Sequence, residues 1–247
     1  MTALTALVRA AAPFVVSLGI LGGCDDKEPP PPTQEEVMRR FHELWYLDAG
    51  TWMKNSFFGI HTEQNPMDVW VTQEILHEVK PDFMIECGSM HGGSAALWAT
   101  LLEQFNPEAK VISIDITDRM QEARKLPIVQ RRVEFIVSSS TDKALVEKLA
   151  KRVKGKKVLV LLDSDHSKPH VLQELRSYSP MVSVGSYILV QGSNVNGHPV
   201  SPNSHPQGGP WEAIEEFMRG SDAFQIDTSR ERLLFTLSPS GFLKRVK

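Results

Sequence analysis

The chain has almost no cysteine: two residues among 247, Cys24 and Cys87. That excludes a disulfide scaffold and a cysteine-built zinc site. It also lacks a long basic stripe, and its formal net charge is −3, so a nucleic-acid backbone finds no electrostatic footprint. The nearest thing to one, the Lys/Arg cluster over 148–157, closes a helical pattern and reads as a solvated face. No internal repeat is present. No apolar run is long enough to span a bilayer as a mature helix. The remaining composition, 41% hydrophobic and 23% charged, is that of a soluble globular protein, and the length suits one large domain.

The N-terminus stands apart. Arg9 precedes an apolar run from Ala10 to Ile20, which has the length of a signal-peptide core. Leu21-Gly22-Gly23-Cys24 follows and resembles a bacterial lipobox, in which the cysteine is lipidated and becomes the new N-terminus. Asp25 to Pro32 is polar and proline-rich, and reads as an extended tether. Residues 1–33 are therefore assigned to a leader and tether, and 34–247 to the folded domain. The expected location is a membrane-associated bacterial lipoprotein anchored through Cys24. A leader with a chance cysteine on a cytoplasmic protein is the alternative.

The apolar spacing predicts helices over 34–46 and 67–79, the second stopped by Pro81, with irregular chain between them. An alternation then begins. Strands are predicted over 83–86, 111–115, 133–137, 158–162 and 187–190, and helices over 92–105, 141–153 and 169–178. A polar helical stretch follows Asp115. After a loop over 192–210 come a helix over 211–219 and strands over 224–227 and 233–237. Strands alternating with helices mean a mostly parallel sheet covered on both faces, a doubly wound α/β fold. Val158-Leu159-Val160-Leu161-Leu162 is the uninterrupted run expected of a strand buried on both sides.

In such sheets ligands bind beyond the carboxyl ends of the strands. The first strand ends in Glu86-Cys87-Gly88-Ser89-Met90-His91-Gly92-Gly93-Ser94. Glycines here allow a tight turn and close approach to a ligand, and no Gly-Lys-Ser/Thr follows, which excludes a P-loop. Cys87, among apolar neighbours, reads as a small buried thiol. Asp115 ends the second strand. It suits a ribose diol as well as a helix cap, and pairing with the glycine turn favours the ribose. Ser138 to Asp142 ends the third strand with hydroxyls that suit adenine or cap a helix. Asp163-Ser164-Asp165-His166 ends the fourth: carboxylates suit a hard cation, His166 is a candidate general base, and capping by Asp165 or Ser167 is the structural alternative.

At these residues the chain resembles a family. Ile85-Glu86-Cys87-Gly88 with Gly92-Gly93-Ser94 is similar to the first motif of class I S-adenosylmethionine-dependent methyltransferases. More narrowly, Gln64 to Asp68, Leu162 to Ser167, His170 to Arg176, Asn194 to Pro199 and Pro239 to Arg245 resemble the cephalosporin hydroxylase / rhamnosyl O-methyltransferase family over about 52–247. The resemblance implies a Rossmann-like seven-stranded sheet, mostly parallel, whose last strand is antiparallel. It implies S-adenosylmethionine held by Glu86, Gly88, Ser94, Asp115 and Ser140; the catalytic group expected to remove the acceptor's proton is His166, or Asp163 acting with a metal. It also implies Mg²⁺ held by Asp163 and two residues ending the fifth strand. Those positions are Gln191, which retains a carbonyl oxygen, and Gly192, which has no side chain, so the metal is left open. The expected reaction is methyl transfer to a hydroxyl of a small molecule or glycolipid sugar, with His198 and His205 as candidate pocket residues. The rival is a lipid-anchored binding protein that kept the fold and lost the chemistry. A hydroxylase ranks below both, because no two-His, one-carboxylate iron site is evident. The helix over 34–46 is a candidate contact between copies of the chain.

Overall fold

In the computed structural model the strands fall where an apolar run meets a turn signal, and the helices where apolar residues recur at helical spacing. The structure describes residues 29–48, 50–200 and 205–247, so the lipobox lies outside the described residues. α1 (Gln34–Glu43) runs on into a wider π-type turn, Leu44–Asp48. A small antiparallel hairpin, β1 (Ser56–Phe57) and β2 (Ile60–His61), precedes α2 (Pro66–Val79). Asn65 caps α2 by accepting the Met67 amide, Pro66 occupies the first turn, and Lys80 closes it in the left-handed region before Pro81.

The sheet is built from β3 (Phe83–Cys87), β4 (Lys110–Asp115), β5 (Val133–Val137), β6 (Val158–Leu162), β7 (Tyr187–Val190), β8 (Phe224–Ile226) and β9 (Phe242–Arg245). Between them run α3 (Gly93–Phe105), α4 (Pro127–Arg132), α5 (Lys143–Arg152), α6 (Lys168–Tyr178) and α7 (Pro210–Arg219). The strand order is β5-β4-β3-β6-β7-β9-β8. β3 to β7 pair in parallel, and β9 lies antiparallel between β7 and β8. The seven strands and the antiparallel last strand are as the resemblance implies. The chain reverses strand order between β3 and β6, which opens a crevice at their carboxyl ends.

The pleat sorts the β6 run into two cores. Val158, Val160 and Leu162 face Leu149, Leu175 and Ile214 of α5, α6 and α7. Leu159 and Leu161 face Ile75, Trp98 and Leu102 of α2 and α3. A period-two alternation hidden inside a continuous apolar run thus covers the sheet on both sides.

One predicted strand is corrected. Residues 233–237 are irregular, and the last strand is Phe242–Arg245. Tertiary contacts decide this. The Phe235 ring is met edge-on by Phe41, His42 and Trp45, at centroid distances of 5.2, 4.7 and 5.1 Å. Asp68 Oδ2 accepts the Leu237 amide at 2.8 Å. The segment is a clasp between α1 and α2 rather than a rung of the sheet. α1 therefore packs on its own chain through buried His42 and one edge of Phe41, while Val37, much of Phe41, and Leu44 and Leu47 of the following turn stay exposed. The polar stretch after Asp115 forms a single 3₁₀ turn, Ala123–Lys125, and the short α4. Among the described residues no helix is long and apolar enough to cross a membrane.

Candidate active site

A cavity of about 740 Å³ opens over the carboxyl ends of β3 to β7. One end is lined by Gly88, Ser89, Met90 and Ser94 after β3, by Asp115, Ile116 and Thr117 after β4, and by Ser138 and Ser140 after β5. The other end is lined by Tyr46, Trp52, Gln64, Asp163, His166, Gln191 and Asn194. Gly88 has a φ of 100°, and a Cβ there would overlap the Asp163 carbonyl oxygen. Only glycine permits β3 and β6 to meet this closely at the crevice.

Asp115 anchors the glycine turn. Its Oδ2 accepts the amides of Ser89 and Met90 at 3.1 and 2.8 Å, and its Oδ1 accepts the amide and hydroxyl of Thr117. Beside it Ile116 is 74% exposed and lines the cavity, a large apolar side chain with one face uncovered. Ser140 Oγ meets His170 Nε2 at 3.2 Å, and the Ser140 carbonyl accepts the Tyr178 hydroxyl. Gly88, Ser94, Asp115 and Ser140 are therefore brought together, as expected.

Glu86 is not part of the lining. It is fully buried beneath the turn, where Trp98 Nε1 donates to Oε1 at 3.0 Å and the Ser113 hydroxyl bonds Oε2. Burial pushes its carboxyl up to about 7, against the hydrogen bonds that pull it down. Its contact with the cavity runs through Ser94. His198 and His205 do not line the cavity either. His198 stacks on Trp211 at 4.4 Å and bonds Glu212 Oε1 at 3.1 Å, which fixes the loop to α7. Asp165 takes the structural alternative: its Oδ1 accepts the Ser167 amide at the start of α6.

The reacting end is a chain of four side chains. Gln64 Nε2 donates to Asp163 Oδ2 at 3.2 Å and to Gln191 Oε1 at 2.9 Å, while Gln191 Nε2 donates back to Gln64 Oε1 at 2.8 Å. The carboxylate only accepts, so it fixes which way both amides point. Asp163 Oδ1 takes His166 Nε2 at 3.3 Å. That bond puts the ring proton on Nε2 and leaves the lone pair on Nδ1. Burial lowers the His166 pKa, but the Asp163 hydrogen bond and charge, with Asp165 and Glu174, outweigh it, and the net shift is upward. Gln64 is the residue that sequence reasoning passed over as a site group. Its signal was its place in the Gln64 to Asp68 segment.

These donors do not fit Mg²⁺. The ion takes oxygen ligands in near-octahedral geometry. Here the two amide oxygens are engaged with each other's NH₂ groups, and Asp163 is the one carboxylate in this chain of side chains. Asp68 and Asp165 also line the cavity, but they accept the Leu237 and Ser167 amides. The place a second carboxylate would take at position 192 is filled: a Cβ on Gly192, at φ 70°, would run into the His166 ring. Among the described residues no group of three or more His, Cys, Asp or Glu is placed to hold a metal.

A Rossmann-like sheet ordered in this way, with a glycine turn, a next-strand acid and a base at one crevice, fits the class of S-adenosylmethionine-dependent methyltransferases. Within that class the chain belongs to the rhamnosyl O-methyltransferase/CmcI family, whose profile matches residues 49–246. It is 36% identical to a rhamnosyl O-methyltransferase of Mycobacterium tuberculosis, over 98% of this chain and 94% of that protein. It is also 36% identical to one from Mycobacterium leprae, over 85% and 91% respectively. A solved structure of CmcI with Mg and SAM shares the fold at a TM-score of 0.60 and 18% identity, over 79% of this chain and 78% of that one. CmcI with SAH superposes at 0.56 with 16% identity, over 79% and 84%.

Proposed function

We propose that this chain methylates a hydroxyl of a sugar, on a free glycoside or a glycolipid, with His166 as general base and without a metal. The observation that carries the proposal is the Asp163–His166 pair, braced by Gln64 and Gln191 and set in the same cavity as the glycine turn. The cofactor end fits S-adenosylmethionine: Asp115 and the serines suit a ribose and an adenine edge, and uncovered Ile116 suits a base face. When bound, the cofactor supplies an electrophilic methyl on sulfur. Asp115 holds the turn in place, and the walls orient the acceptor, so positioning supplies much of the rate. His166 Nδ1 takes the hydroxyl proton as oxygen gains the methyl, and Asp163 stabilises the imidazolium that forms. A binding protein that had lost the chemistry would have no need of this intact base.

The test is calorimetry on the full chain. S-adenosylmethionine should bind, and Asp115→Ala should weaken it by about 2 kcal/mol, because the turn amides lose their acceptor. Absence of binding by the unsubstituted chain overturns the reading. The leader supports a separate proposal, that Cys24 is acylated and tethers the enzyme to a membrane. Expressed in a bacterium, the chain should then partition to membranes and Cys24→Ser should not. A soluble, unprocessed chain with Cys24 intact overturns it.

A further inference from the structure

Asn194 lines the cavity just beyond β7, and its side chain is completely buried. Its backbone is tied down: the Asn194 amide meets the Leu237 carbonyl at 3.4 Å, and its own carbonyl accepts the Val200 amide at 3.1 Å. Its side-chain nitrogen lies 3.0 Å from His42 Nε2 of α1, and its Oδ1 has no partner at all. Buried amide atoms are nearly always paired, and an orphan of this kind calls for an explanation. Turning the amide over does not remove it. The oxygen would then face His42 and the nitrogen would be left unpaired. One polar atom of Asn194 stays unsatisfied in either orientation. A hydroxyl satisfies either one, because it both donates and accepts.

The surroundings suit a sugar. Tyr46 and Trp52 stack at 5.4 Å with an interplanar angle of 16°, and both line the same end of the cavity. Trp52 Nε1 donates to the Tyr46 carbonyl at 3.1 Å, which holds this aromatic face together. Flat rings and one planar amide lining the same cavity match the apolar face and the equatorial rim of a pyranose. Asp163 and His166 lie in the same cavity, so a ring presenting one hydroxyl to His166 has others free to reach the wall.

We propose that Asn194 is a specificity-determining residue, which hydrogen-bonds a second acceptor hydroxyl that is not methylated while the sugar rests against Tyr46 and Trp52. This rests on the methyltransferase reading above. A site built to bond a hydroxyl discriminates against the analogue lacking it, since its own polar atom is then left unpaired. Asn194 also joins acceptor binding to α1 through His42, so the acceptor is read partly by an element outside the sheet.

The probes are p-nitrophenyl α-L-rhamnopyranoside and its 2-, 3- and 4-deoxy analogues, with initial rates measured at saturating S-adenosylmethionine. For the unsubstituted enzyme, one deoxy analogue should still be methylated with KM raised about tenfold. In Asn194→Ala the parent glycoside should lose the same factor in KM, and that deoxy analogue should lose nothing more. S-adenosylmethionine affinity by calorimetry should change less than about twofold in the same variant. Asn194→Ser, which keeps a short polar group, replaces Asn194→Ala if the latter fails to fold. Equal further losses for parent and deoxy glycosides, matched by His42→Ala, would mean that Asn194 only anchors α1, and would overturn the proposal. A chain that binds S-adenosylmethionine but methylates none of the glycosides overturns it together with the sugar acceptor. A chain that binds no S-adenosylmethionine overturns the underlying reading instead.

Discussion

His166 is a base whose proton affinity is set by opposing neighbours, and its chemistry follows from their sum. Burial disfavours the imidazolium, while Asp163, Asp165 and Glu174 favour it more, so the pKa lies above 6.5. A base must be neutral to act. The rate in kcat/KM should therefore fall as pH drops through this raised pKa and level off above it, as a pH series of initial rates will show. Asp163→Asn removes the charge that raises it and should shift the acid limb to lower pH while lowering the plateau. His166→Gln should cost roughly 10²–10⁴-fold in kcat, the usual contribution of a positioned base. Gly192→Asp, the change that would supply a carboxylate, should also inactivate, because the new side chain enters the space of the ring. Added Mg²⁺ should not restore its rate. Glu86 gives a prediction in stability. Its folded pKa is about 7 against an ordinary 4.5, so the folded state holds the proton longer than the unfolded one. That stabilisation is complete below about 4.5 and lost as pH rises to about 7. The neutral Glu86→Gln should show a smaller drop in Tm between pH 5 and pH 8 than the unsubstituted chain.

At the scale of elements, the site is completed by pieces that are not in the sheet. The hairpin β1–β2 leads into Gln64, α1 brings His42 and the turn after it Tyr46, and the clasp over 233–237 holds α1 down through Phe235. Removing a buried aromatic of this kind costs about 3 kcal/mol or more. That cost falls here on the docking of α1 rather than on the sheet, since Phe235 contacts Phe41, His42 and Trp45. Phe235→Ala should accordingly speed proteolytic cleavage within 34–48 and raise the acceptor KM, while S-adenosylmethionine affinity is preserved. Loss of cofactor binding in this variant would show that the clasp supports the whole crevice.

At the scale of the whole molecule, residues 34–247 form one compact unit, and its catalytic strategy is read from the donors at the crevice. Carboxylates at neighbouring strand ends would supply ligands for a cation. This chain has amides locked to each other and an imidazole in the remaining space. Methyl transfer should then proceed in excess chelator at a rate within about twofold of the untreated enzyme, and calorimetry should detect no tight Mg²⁺ binding. A rate abolished by chelator and restored by Mg²⁺ would show that the amide pair opens to admit the ion.

The sequence by itself determined the five parallel strands, β3 to β7, and the crevice at their ends, but not the place of the antiparallel strand β9. Apolar period, helix caps and glycine turns are local signals, repeated every two to four residues, and each can be read in place. The glycine turn, Asp115 and the Asp163–His166 pair were legible for that reason, as strand-end residues of the wrong polarity for a core. Tertiary structure alone decided which polar groups meet. Gln64 reaches Asp163 across 99 residues and Gln191 across 127, and His42 reaches Asn194 across 152. It also decided that Glu86 lies under the site, that His198 and His205 are not among the residues lining it, and that 233–237 is a clasp. Such contacts carry no period. They depend on where long connections close and on which side chain fills a space another has left, as His166 does over Gly192.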